Sequence, residues 1–306
     1  MSTRKATLVG LLSILLWSAN IGLVSTVTKL LGTVGGGAIL HTGSVILLCF
    51  AFGFPKLTTF PRRYLYLASI LFCIYETCFV LSLGFATSPR QTLELGMINY
   101  TWPSMTILMA IIFNRQKANI LIVPGIALAF LGVCLVLGGD EGFSFADIAG
   151  NIMENPLSYG LSFIGAFFWS VYCTITSRMG KGKNGITFFF LLVTIILWIQ
   201  FFVTCEQFPQ LSMPAILYLV LACAALAFGY AAWNIGMLCG NVTVLATASY
   251  FIPILSSLLT TLIVKASLSL SFWQGCVITS IGSFLCWLST RKNHDIIKSP
   301  EDKKSG

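Results

Sequence analysis

The stretch NYTWPSMTILMAIIF, residues 99–113, returns in altered form as SYFIPILSSLLTTLI, residues 249–263. Tyr100 aligns with Tyr250 and Pro103 with Pro253, at a common offset of 150 residues. The offset continues into the next segment, where Gly125 matches Gly275 and Gly132 matches Gly282. Earlier in each half, LLWS at 15–18 pairs with FFWS at 167–170, so Trp17 and Ser18 align with Trp169 and Ser170 at an offset of 152. Gly84 and Gly236 keep that second offset, and a two-residue shortening before the ninth apolar segment accounts for the change. The chain is therefore a repeat of itself.

Composition says what kind of repeat it is. Hydrophobic residues make up 57% of the 306 positions and charged residues only 9%. A soluble domain carries about 25% charged residues, so this chain has too few charges to cover a water-facing surface. A membrane helix needs about 20 mostly apolar residues. Ten such segments are predicted, at 6–28, 36–54, 64–86, 91–113, 119–137, 157–178, 185–204, 213–237, 241–263 and 270–290. The apolar run that starts near the N-terminus continues past Val27, longer than the core of a signal peptide, and reads as an uncleaved first span. The expected fold is an all-α integral membrane protein. Residues 1–137 form a first five-helix repeat, 138–156 an extracytoplasmic acidic linker, 157–290 a second repeat and 291–306 a polar cytoplasmic tail.

Loop charge sets the orientation. With ten spans, fifteen of the 18 Lys and Arg residues fall on one side, and Lys29, Arg90 and Lys265 on the other. The positive-inside rule then puts both termini in the cytoplasm. Five is odd, so the second repeat enters the membrane from the opposite side. Inverted repeats of this kind are typical of secondary transporters, which bind substrate near the midplane where the repeats meet. The net charge of +8 is scattered over short loops and does not read as a nucleic-acid face. The ten cysteines contain no C-x-x-C pair and no metal-ligand spacing. No cofactor or metal is expected. A phosphate-binding Gly-x4-Gly-Lys loop is absent, as are H-E-x-x-H and Gly-x-Ser-x-Gly, which disfavours ATP-driven transport and membrane hydrolases.

The paired WS segments, NYTWPSMTILMAIIFN and SYFIPILSS, together with Leu93–Met97, LGGD (137–140), PLSY (156–159), AAWN (231–234) and FWQG (272–275), resemble the drug/metabolite transporter superfamily. The likeness is to its EamA-type members, and within them to bacterial exporters of aromatic amino acids. It covers the chain up to about residue 293. It implies an inner-membrane exporter of phenylalanine, tyrosine and tryptophan. Other amphipathic metabolites and cationic aromatic drugs are alternatives within the superfamily. A membrane-embedded lipid enzyme would need clustered carboxylates or a nucleophile at one membrane face, and none is seen.

An amino acid needs donors for its carboxylate, acceptors or aromatic faces for its ammonium, and an apolar pocket for its ring. Glu76 is the only charged residue between Tyr64 and Phe85. An ionisable group at that depth is a functional-site hypothesis by default. It would face a central cavity and permit proton exchange. The alternatives are a neutral acid bridging helices and plain facilitated diffusion. Glu94 is a weaker candidate at the pathway mouth, within reach of Arg90. His41 reads as a hydrogen-bonded structural histidine. Asn20, Asn99 and Asn234 stand beside Trp17, Trp102 and Trp233 on their helices, joining amides to aromatic surface. Trp17 and Trp169 form one equivalent pair and Tyr100 and Tyr250 another, expected to meet near the pseudo-two-fold axis. With Tyr75, Trp102 and Tyr172 they are candidates to line the cavity. Pro103 and Pro253 are candidate hinges. Internal symmetry already completes one pathway, so a monomer is expected.

Overall fold

A computed structural model of the chain describes residues 2–115, 117–138, 144–180, 183–240, 242–266 and 268–291. All the regular structure among them is helical. In chain order the helices are α1 (Thr3–Leu31), α2 (Thr33–Phe52), a 3-10 turn (Leu57–Thr59), α3 (Arg62–Gly84), α4 (Pro89–Asn99), α5 (Trp102–Asn114), α6 (Ile122–Leu137) and α7 (Phe145–Glu154). They continue as α8 (Pro156–Met179), α9 (Ile186–Thr204), α10 (Met213–Cys239), α11 (Val242–Ser249), α12 (Ile252–Val264) and α13 (Leu270–Arg291).

Among the described residues eight segments are long and apolar enough to cross a membrane, counting Pro89–Phe113 as one, and Ile122–Leu137 and Ile252–Val264 are shorter apolar helices. Large apolar side chains cover the outside: Phe50 is 87% exposed and Ile120 80%. A water-soluble monomer does not present such a surface, and the chain is a multi-pass membrane protein. The polar tail from residue 292 onward lies outside the described residues, as do Asp140 and Glu141 of the acidic linker.

The two proline-bearing spans, 91–113 and 241–263, are each interrupted at a tyrosine: at Tyr100–Thr101, and at Tyr250–Phe251. The cause lies three residues downstream. Pro103 and Pro253 have no N–H to offer the carbonyls of Asn99 and Ser249. Each proline instead occupies the first turn of the following helix, where its fixed φ fits. The linker differs from expectation, because Ser144 caps a ten-residue helix, α7, within it. Its Ile148 and Ile152 pack on the core while Phe145 and Met153 point outward.

Close packing of α6 against α13 depends on the glycines of the repeat. A Cβ on Gly132 would lie 2.3 Å from Thr279 Oγ1 and 2.6 Å from the Gly275 carbonyl. A Cβ on Gly125 would meet Cys286 and the Gly282 carbonyl. Gly125 thus faces Gly282 and Gly132 faces Gly275, a reciprocal arrangement. Between α1 and α2 the chain turns at Gly32, whose φ of +86° suits glycine. Glu206, beyond α9, reaches across to accept the N–H groups of Gly35 at 2.9 Å and Val34 at 3.3 Å. It satisfies free donors at the start of α2.

Candidate functional site

Helices α1, α3, α8 and α10 and the breaks in the two interrupted spans enclose a cavity of about 40 Å³. Its walls are Trp17, Asn20 and Ile21 from α1, Tyr75 and Phe79 from α3, Asn99, Tyr100 and Trp102 around the α4–α5 break, Trp169 from α8, Leu226 and Tyr230 from α10, and Ile252 from α12. Helical spacing explains the grouping. Trp17, Asn20 and Ile21 stand at i, i+3 and i+4, and the pairs Tyr75–Phe79 and Leu226–Tyr230 at i, i+4, each on one face. The volume suits a few water molecules. Ligand pockets commonly start near 300 Å³, so admitting a drug-sized or amino-acid ligand requires the walls to part.

The walls are mostly rings. Trp169 lies between Tyr75, at 4.6 Å between centroids, and Tyr172, at 5.1 Å and nearly parallel. Trp102 meets Trp169 edge-on at 6.2 Å. Opposite them Trp17 packs on Tyr230 at 5.2 Å and on Trp233 at 5.1 Å. Gly229 makes room for this indole: a Cβ there would sit 2.7 Å from Trp17 Cδ1.

Three polar atoms of the lining residues are buried without a hydrogen-bond partner among the described residues. They are Trp17 Nε1, Asn20 Oδ1 and Asn99 Nδ2. An unpaired buried group costs about 1–3 kcal/mol. Two of the three are donors and one is an acceptor. Pro103 leaves a further acceptor nearby, since the Asn99 carbonyl gains no N–H from position 103.

Seven of the twelve expected site residues therefore share one cavity: Trp17, Asn20, Tyr75, Asn99, Tyr100, Trp102 and Trp169. Of the others, Glu76, Tyr172, Trp233 and Tyr250 do not line it. Glu76 is the main correction. It is 1% exposed and points behind the wall, where Tyr230 donates to Oε1 at 2.7 Å and His41 Nε2 lies 3.4 Å from Oε2. Burial without a partner would be prohibitive for a carboxylate, and α2 and α10 supply the partners. Tyr172 stands one layer back, against Trp169 and Phe72. Trp233 backs Trp17. Tyr250 packs against Phe284 and Trp287 of α13, so the two equivalent tyrosines do not meet. The Asn234 side chain lies outside what is described. Ile21, Phe79, Leu226, Tyr230 and Ile252 were not anticipated, although stepping one helical turn from Trp17 or Tyr75 leads to Ile21 or Phe79.

Glu94 is buried too. Arg90 Nε donates to its Oε1 at 2.9 Å and the Tyr159 hydroxyl to its Oε2, tying α4 to α8. Asn155 joins the same two elements through Gln91 Oε1 at 2.9 Å.

Known proteins agree with this architecture. Residues 157–288 match the EamA-like transporter family. The chain is 51% identical over 292 residues to the aromatic amino acid exporter YddG of Escherichia coli K12, and 50% identical to that of Salmonella typhimurium, in each case covering 95% of this chain and all of the relative. The exporter of the same name from Ancylobacter novellus is 26% identical over 306 residues. A crystal structure 21% identical in sequence superimposes with a TM-score of 0.68 over 97% of this chain and all of its own, which shows a shared fold. These relatives make the protein a transporter rather than an enzyme. The chain belongs to the YddG family of EamA-like transporters.

Proposed function

We propose that this protein exports aromatic amino acids across the bacterial inner membrane by alternating access around the cavity. The observation that carries the proposal is a cage of rings holding unpaired donors and acceptors on the same walls. A zwitterion satisfies both kinds at once. Its carboxylate accepts from Asn99 Nδ2 and Trp17 Nε1, and its ammonium donates to Asn20 Oδ1 and the freed Asn99 carbonyl. Its ring stacks on Trp169 and Trp102. The relatives' names point to the same substrates.

In this reading the chain has ten spans arranged as two inverted repeats, with both termini cytoplasmic, and works as a monomer. Three features support it: the basic residues concentrate on one side, the two spans break at matched tyrosines, and the glycines of α6 and α13 face one another reciprocally. Pro103 and Pro253 act as hinges where the half-helices pivot. A cationic drug lacks a carboxylate for the two donors and finds Glu76 turned away.

The test is efflux of labelled phenylalanine from proteoliposomes, with competitors. Tyrosine and tryptophan should compete. Phenethylamine, without the carboxylate, and phenylpropionate, without the ammonium, should compete at least about tenfold less, because each leaves buried groups unpaired. Equal competition by phenethylamine, or no efflux from folded protein, would overturn the proposal.

A further inference from the structure

The transport reading leaves the pair behind the wall without a task. His41 is fully buried in α2, stacked on Phe190 of α9, and Glu76 is buried in α3. The His41 Nδ1 atom lies 3.0 Å from the Gly37 carbonyl, which can only accept. Nδ1 therefore carries a hydrogen. A neutral ring then presents a bare Nε2 to Glu76 Oε2, 3.4 Å away.

The number of protons between those two atoms follows from their chemistry. With none, two acceptors face each other beside an uncompensated carboxylate. With two, an imidazolium N–H faces an acid O–H and a lone cation is buried. With one, the contact is a hydrogen bond and the pair is neutral, either as acid with imidazole or as carboxylate with imidazolium. Passing between those forms moves one H⁺ from Oε2 to Nε2 and leaves the net charge at zero. The other titratable groups facing Glu76 are Cys73 and Tyr75 on α3 and Tyr230 on α10, and no Lys or Arg is paired with it among the described residues. The site belongs to one half only. At the 152-residue offset, Val193 and Phe228 stand where His41 and Glu76 would be.

We propose that His41 and Glu76 form a buried one-proton site whose shared proton fixes the polarity of the cavity through Tyr230. In either form Glu76 Oε1 is an acceptor, so the Tyr230 hydroxyl must donate to it. That hydrogen is turned away from the cavity, and the phenol oxygen, which accepts from the Tyr75 hydroxyl, keeps one further lone pair as an acceptor at the wall. The arrangement suits the ammonium of a substrate. Glu76 and His41 are positioning residues acting through Tyr230. The inference rests on the proposed substrate class only for its effect on transport, not for the proton count.

The chain has two histidines, and His294→Asn leaves His41 as the sole imidazole. Nitrogen-15 NMR of that protein in lipid nanodiscs reads which ring nitrogens are protonated. The infrared difference between it and Glu76→Gln reads whether Glu76 is acid or carboxylate. The expected result is a protonated Nδ1 and a total of one proton over Nε2 and Glu76. A bare Nδ1, or a total of zero or two, overturns the site whatever the protein transports. The transport arm uses Glu76→Gln, whose amide can donate to Nε2 while its oxygen accepts from Tyr230, and Glu76→Leu, which can do neither. With both variants confirmed as folded by melting temperature, phenylalanine efflux should be at least about tenfold faster for Gln than for Leu. Equal rates would remove the link to the cavity and leave the proton site intact. Absence of efflux in the parent protein would instead count against the substrate.

Discussion

Substituting Gly229 by alanine probes a tight contact behind the cavity. The added Cβ would stand 2.7 Å from Trp17 Cδ1 and 2.8 Å from Nε1. Comfortable carbon contacts begin near 3.5 Å, so the indole must retreat by roughly 0.8 Å. Tyr230 and Trp233 flank it at 5.2 and 5.1 Å, and the open direction is the cavity. Overpacking costs about 1–3 kcal/mol, offset by about 0.5–1 kcal/mol from replacing a helical glycine. Stability should fall by no more than about 2.5 kcal/mol. The displaced ring intrudes on the substrate, and the apparent affinity for tryptophan should drop about tenfold, equivalent to about 1.4 kcal/mol. Phenylalanine, with its smaller ring, should lose less. Competition of unlabelled tryptophan against labelled phenylalanine efflux measures both, and Trp17→Phe, which removes a donor to the carboxylate, should cost less affinity in Gly229→Ala than in the wild type by coupling of touching residues. Wild-type affinity in Gly229→Ala, or an equal cost of Trp17→Phe in both backgrounds, would contradict this packing argument.

Other positions test the frame. Gly132→Val forces a side chain against the backbone of α13, where a Cβ already meets the Thr279 N at 2.5 Å, and should lower the melting temperature in detergent by an amount equal to about 3 kcal/mol. Glu206→Ala removes acceptors from the first turn of α2 and should cost about 1 kcal/mol by the same assay, since loss of an N-terminal cap typically does. Cys205 and Cys239 are both exposed, and with cytoplasmic termini they lie on opposite membrane faces. In single-cysteine variants an impermeant maleimide should label Cys205 in right-side-out vesicles and Cys239 in inverted ones; the reverse pattern would invert the topology.

Much of the helical frame was legible because apolar length and glycine spacing are local. The breaks were half legible. Pro103 and Pro253 mark the place, but a sequence does not say whether a proline bends a helix or ends it. Helix α7 escaped notice because ten amphipathic residues inside an acidic loop carry no span signal. The site divides along the same line. Trp17 and Trp169 are equivalent in the repeat and both line the cavity, whereas Tyr100 does so and Tyr250 turns to Phe284 and Trp287. Repeat equivalence fixes a residue's place along the helix; the neighbouring helices fix what its ring meets. Glu76 stood out by charge alone. Its partners His41 and Tyr230 are 35 and 154 residues distant, and only packing of α2, α3 and α10 brings them together.

The central claim is that aromatic amino acids occupy this cavity, and photolabelling tests it most directly. Purified protein in proteoliposomes would be irradiated with radiolabelled azidophenylalanine, then digested and sequenced for adducts. Adducts are expected on the segments carrying Trp17, Tyr75, Trp102 and Trp169, suppressed by excess phenylalanine. Adducts confined to other segments, or labelling that excess phenylalanine leaves untouched, would contradict that claim.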